Sequence, residues 1–104
     1  MPLVAVTVLH TLSDDEAMRR LQQRYDAVKA AYAEHLQDLE EQWDGRSLRY
    51  GFSSLGLRFE GVVTAAQGQV SIQVSLPPLA SLFRGQIERR LREELTALLA
   101  EASA

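Results

Sequence analysis

Apolar residues in this chain first run together, then recur at helical spacing, then alternate, and finally return to helical spacing. Leu3 to Leu9, LVAVTVL, is apolar on both parities and rich in β-branched side chains. That predicts a strand over 3–9 that is covered on both faces or lies at a subunit contact. Ser13-Asp14-Asp15-Glu16 comes next. Ser13 and Glu16 stand at capping-box spacing, and three acids in a first turn complement the positive end of a helix dipole. Ala17, Leu21, Tyr25, Val28, Tyr32, Leu36 and Leu39 then step by fours and threes along one face, which predicts a helix over 14–39. Unbroken, it would be about 40 Å long, whereas a strand of eight residues covers about 27 Å. The helix is therefore expected to bend or end near His35, or to overhang the sheet.

After Gln42-Trp43-Asp44-Gly45-Arg46 the period becomes two. Leu48, Tyr50 and Phe52 alternate with polar or small residues, as do Leu57, Phe59, Gly61 and Val63, and then Val70, Ile72, Val74 and Leu76. Strands are predicted over 47–52, 55–64 and 69–76, with turns at Ser53-Ser54 and Ala66-Gln67-Gly68. Pro77-Pro78 ends the sheet, because proline has no N–H for the ladder. Leu79, Phe83, Ile87, Leu91, Leu95 and Leu98 predict a helix over 79–100, with Gly85 marking a bend or a true start near Ser81. The tail from Glu101 is expected to fray. The fold class is α+β in the order β-α-β-β-β-α, a four-stranded, mainly antiparallel sheet with two amphipathic helices packed on one face. The first strand could join either edge or pair with another subunit.

Composition narrows the function classes. The chain has 104 residues, the size of one domain, no cysteine and a net charge of −3. Disulfide frameworks, thiolate metal sites and thiol nucleophiles are thereby excluded. The apolar run at the start is far shorter than the roughly 20 residues of a membrane span, so a cytoplasmic protein with no membrane span is expected. Acidic balance and the lack of outward aromatics disfavour nucleic acid, although Arg46, Arg49 and Arg58 on the sheet and Arg19, Arg20 and Arg24 on the first helix keep an RNA- or ribosome-associated reading as an alternative.

Candidate chemistry is sparse. His10 ends the first strand beside a helix start and is the weak functional candidate; His35 has no convergent partner in the sequence. Asp14-Asp15-Glu16 and Glu40-Glu41 read as a helix start and a solvated helix end, so no metal is expected. With no phosphate loop and no nucleophile motif, no cofactor, no catalytic residue and no enzymatic activity are expected. Leu79, Leu82 and Phe83 supply more large apolar side chains than one helix face uses, which marks a candidate interaction surface. Trp43 joins that set, but beside the Asp44-Gly45 turn it reads more readily as a lid over the end of the core.

Several of these residues fall in one order and spacing. His10-Thr11-Leu12, Glu16-Ala17, Trp43-Asp44-Gly45 with Leu48 and Phe52, Gly56-Leu57, Gly61-Val62-Val63, the alternation Val70 to Leu76, and Phe83 with Ile87-Glu88 run through nearly the whole chain. In this the chain resembles the polyhydroxyalkanoic acid system family of small bacterial proteins. It departs at Pro77-Pro78, where a Leu-Gly type turn is more usual, and in a longer first helix. The resemblance implies a link to polyester storage granules, and no catalytic residues carry over with it. A non-enzymatic accessory protein is expected, a homo-oligomer (dimer) that docks on polyhydroxyalkanoate granules or their proteins. The alternative is a small domain whose curved sheet and long first helix enclose an apolar, lipid-like ligand, as in helix-grip proteins.

Overall fold

A computed structural model describes residues 3–100 of the chain; the expected fraying of the tail from Glu101 lies outside them. Strand β1 (Leu3–Leu9) leads to helix α1 (Asp14–Ala31), a 3-10 turn (Ala33–His35), strands β2 (Gln37–Asp44), β3 (Ser47–Ser54), β4 (Leu57–Ala66) and β5 (Gln69–Ser75), a second 3-10 segment (Pro78–Phe83) and helix α2 (Arg84–Leu99). The architecture is α+β with two helices on an antiparallel sheet. The sheet has five strands in the order β1-β5-β4-β3-β2, one more than the pattern predicts.

The additional strand comes from the predicted tail of the first helix. Helix α1 stops at Ala31, and residues 37–44, assigned to helix as far as 39, form β2. Tyr32, Leu36 and Leu39 continue the helical spacing, which hid the change. Within β2 the alternation Leu39, Glu41, Trp43 puts a charged residue on the inward face, toward α1, so no apolar period of two stood out. The register confirms that face: Glu41 pairs with Tyr50 and Trp43 with Leu48, both inward residues of β3. The turn at Asp44-Gly45 consequently joins two strands rather than a helix and a strand. Gly45 takes φ 59°, the conformation a two-residue hairpin asks of glycine at its first loop position.

Two further expectations shift. The β3–β4 turn falls on Leu55-Gly56, not Ser53-Ser54, with both loop residues at positive φ (54° and 77°). Serines suggest turns, but this hairpin is set by the left-handed pair that follows them. Strand β1 takes one of the two edges left open to it, pairing with β5 from Leu3↔Ser75 to Leu9↔Gln69, but it is not covered on both faces. Its inward Val4 and Val6 are buried, while Leu3 and Leu9 are exposed.

The core joins β1, β5 and β4 to the start of α1 and the end of α2, through Val6, Ala17, Val70, Leu76, Leu95 and Leu99 among others. The start of α1 is held as its sequence predicts. Ser13 Oγ accepts a hydrogen bond from the Glu16 N–H at 3.1 Å. The Glu16 carboxylate does not turn back to the cap; it binds Arg19 and Arg20. Arg20 also donates to the carbonyls of Leu98 (3.0 Å) and Ala100 (2.8 Å), satisfying acceptors that the last turn of α2 leaves open. Asp14 accepts from the N–H groups of Gln67 and Gly68 in the β4–β5 turn. These contacts pin the start of α1 and the end of α2 together at one end of the sheet.

Candidate functional site: an apolar cleft

Away from that pinned end the two helices leave the sheet uncovered between them. On α1, Ala17 is 0% and Leu21 9% exposed, whereas Val28 and Tyr32, further along the same stripe, are 38% and 55% exposed. The stripe continues past the point where the helix still packs. The result is a cleft of about 520 Å³, within the usual range for small-molecule sites. One wall is α1, with Leu21, Tyr25, Val28 and Tyr32; the facing wall is α2, with Leu91, Leu95 and Leu98. The floor is the inward face of the sheet, with Leu48, Tyr50, Phe52, Val63 and Ile72. His35, Leu36, Leu39 and Trp43 close the side along β2.

Charged groups at the cleft are already matched. Lys29 Nζ lies 3.1 Å from a Glu41 oxygen, and the Tyr25 hydroxyl donates to the same carboxylate. Trp43 meets Tyr25 edge to face at 5.9 Å. This clasp ties the middle of α1 to β2. Burial, with the Glu41 carboxylate next to it, raises the Tyr25 hydroxyl well above the usual phenol range. The hydrogen bond from Tyr25, reinforced by Lys29, holds Glu41 below the usual carboxylate range. Across the cleft, Arg24 pairs with Glu94 at 3.2 Å.

The residues marked by the sequence separate. Trp43 lines the cleft and is 39% exposed. Leu79, Leu82 and Phe83, at 70%, 83% and 55% exposed, lie outside the cleft in the 3-10 segment before α2. Strands β3 and β5 run in the same direction, so that segment and the β3–β4 turn with its exposed Leu55 share one end of the sheet. It is the end away from the pinned start of α1 and end of α2. His10 lies at the opposite end, where its backbone N–H donates to the Gly68 carbonyl and both ring nitrogens are enclosed without a hydrogen-bond partner among the described residues. No three His, Asp or Glu side chains converge among the described residues, and no helix among them is long and apolar enough to cross a membrane. The arginines weighed for RNA are mostly engaged: Arg46 with Asp14 and Asp15, Arg58 with Glu40, Arg19 and Arg20 with Glu16.

Sequence reasoning missed the cleft's β2 side, since it placed those residues on a helix. The available signal was the excess length of the helical stripe over any strand it could cover. The sequence model of a family described as "Putative polyhydroxyalkanoic acid system protein" matches residues 4–99. The chain belongs to this family. The match spans both walls and the floor of the cleft, so the cleft of this family member is built from family sequence throughout. A search of curated proteins finds no match.

Proposed function

We propose that this member of the polyhydroxyalkanoic acid system family acts by binding rather than by catalysis, holding a single apolar chain in the cleft between α1, α2 and the sheet. The observation that carries the reading is the unfilled half of the α1 stripe: Val28 and Tyr32 face open apolar space where a closed core would have sheet side chains. Burying apolar surface there gains about 25 cal/mol per Å², and the cleft is preformed, which limits the ordering cost. Trp43, the one tryptophan, reports on the site. Titrating the protein with a medium-chain acyl ligand should change Trp43 emission saturably, and Val28→Arg should abolish the change while the far-ultraviolet circular dichroism stays native. An unsaturable response, or one untouched by Val28→Arg, would count against the cleft.

A second reading draws on the exposure of Leu79, Leu82 and Phe83. With Leu55 they leave exposed apolar side chains at one end of the sheet, suited to resting on a hydrophobic polyester surface. Co-sedimentation with polyester granules tests it. Binding should weaken in a Leu79→Ser, Leu82→Ser, Phe83→Ser variant, and equal recovery of variant and wild type would remove the reading.

A further inference from the structure

Tyr50, on the floor of the cleft, has a hydroxyl without a hydrogen-bond partner among the described residues. Tyr50 stands on β3 opposite Gly61 of β4, and its ring lies across that glycine. A Cβ at position 61 would come 2.5 Å from the Tyr50 hydroxyl oxygen and 2.6 Å from the ring carbon bearing it. The ring is fixed by stacking on Phe52 at 6.5 Å, and Phe52 stacks on Phe59 at 5.3 Å. Of the other two tyrosines lining the cleft, Tyr25 spends its hydroxyl on Glu41 and Tyr32 is 55% exposed. The Tyr50 hydroxyl has no hydrogen bond among the described residues. Burial alone pushes it up to about 12, so it stays protonated and able to donate near neutral pH. A half-enclosed donor without a protein acceptor is free to bond to a ligand that supplies one.

The surrounding charges decide what kind of acceptor fits. Arg24 is held by Glu94 and Lys29 by Glu41, so neither cation lining the cleft is free for a carboxylate. Moving an ionised carboxylate into apolar surroundings without a counter-charge costs far more than moving a neutral carbonyl. Ser54 and His35 also line the cleft, Ser54 as the last residue of β3 and His35 in the segment before β2, both toward the β3–β4 turn.

We propose that the Tyr50 hydroxyl is the specificity-determining anchor of the cleft, donating a hydrogen bond to the carbonyl oxygen of a neutral aliphatic ester whose hydrocarbon part lies along the apolar walls. This rests on the cleft-binding reading and adds its ligand class. A half-buried phenol gives direction where the walls give only area, and a site built to donate to an oxygen discriminates against an analogue that lacks it.

The test compares a medium-chain methyl ester, the free acid and the alkane of matched length, by Trp43 emission, in wild type and Tyr50→Phe. Wild type should prefer the ester to both others. Tyr50→Phe should lose about tenfold in ester affinity, the worth of one hydrogen bond, with alkane affinity unchanged. The ester carbonyl stretch should move to lower frequency on binding wild type and not on binding the variant. If Tyr50→Phe fails to fold, the wild-type carbonyl shift alone decides. An unshifted carbonyl, an ester affinity equal in the two proteins, or tighter binding of the free acid overturns the anchor while leaving the cleft standing. No saturable binding of any of the three overturns both.

Discussion

Gly61→Ala is the sharpest single perturbation of the cleft floor. The new methyl would stand 2.5 Å from the backbone carbonyl oxygen of Gln73 on β5 and within 2.6 Å of the Tyr50 ring and hydroxyl. Neither neighbour yields easily: the carbonyl belongs to the β4–β5 ladder, and the ring is stacked on Phe52. Overpacking of this kind costs about 1–3 kcal/mol. The opposing gain, a stiffer unfolded chain when glycine becomes alanine, is about 0.4–1 kcal/mol, so the net effect is a loss. For a domain of this size that lowers Tm by several degrees, about 4–8 °C for each kcal/mol. Urea unfolding followed by Trp43 emission measures it as a lower midpoint at unchanged slope. Truncating the ring in the same background, Gly61→Ala with Tyr50→Ser, should cost less than the sum of the two single changes, because residues in contact couple by about 0.5–3 kcal/mol. A Gly61→Ala protein as stable as wild type would refute the close approach. Strict additivity of the pair would refute the ring's part in it.

Other outcomes follow from the same contacts. Ser13→Ala removes the acceptor for the Glu16 N–H and should cost about 1 kcal/mol in urea unfolding. Leu95→Ala, at a residue 4% exposed, should cost about 2–5 kcal/mol, whereas Leu82→Ser, at 83% exposed, should stay within about 0.5 kcal/mol; a reversed order would mean that α2 packs differently. Hydrogen bonds from Arg19 and Arg20 lower Glu16 to about 2, and Asp14 is lowered chiefly by the Gly68 N–H. Both folded values lie below the unfolded ones, so this stabilisation is complete above the unfolded carboxylate range and is lost as pH falls through the folded values, about 2 for Glu16. Glu16→Gln should flatten the acid limb of a stability–pH curve, and an unchanged limb would show that Glu16 contributes nothing there.

Much of the fold was legible because local and tertiary signals agree. Ser13 with its three acids marked the start of α1 to the residue, and Val70, Ile72 and Val74 announced β5 by strict alternation. Strand β2 was not legible because its inward positions, Leu39, Glu41 and Trp43, mix a carboxylate with apolar residues, while Tyr32, Leu36 and Leu39 keep helical spacing. Glu41 faces inward only because Tyr25 and Lys29 on α1 meet it there, a pairing that depends on the tertiary fold. The cleft was foreseen as an alternative, from the curved sheet and long helix, but not its side wall. Tyr50 read as one more apolar position, since nothing local distinguishes a tyrosine with a hydrogen-bond partner from one without. Trp43, expected as a lid at the end of the core, stands at the side of the cleft instead.

The pairing of β1 with β5 has a kinetic consequence. The four strands from β2 to β5 are joined by short hairpins and can zip from neighbour to neighbour, each step closing only a small loop. Strand β1 can dock only when β5 exists to receive it, across a loop that contains α1 and the whole meander, and closing so long a loop carries a larger entropic cost. The meander is thus the natural nucleus, and the first strand and first helix arrive late. Substitutions such as Val6→Ala should then accelerate unfolding and leave the folding rate nearly untouched, while changes within the β3–β4 hairpin slow folding itself.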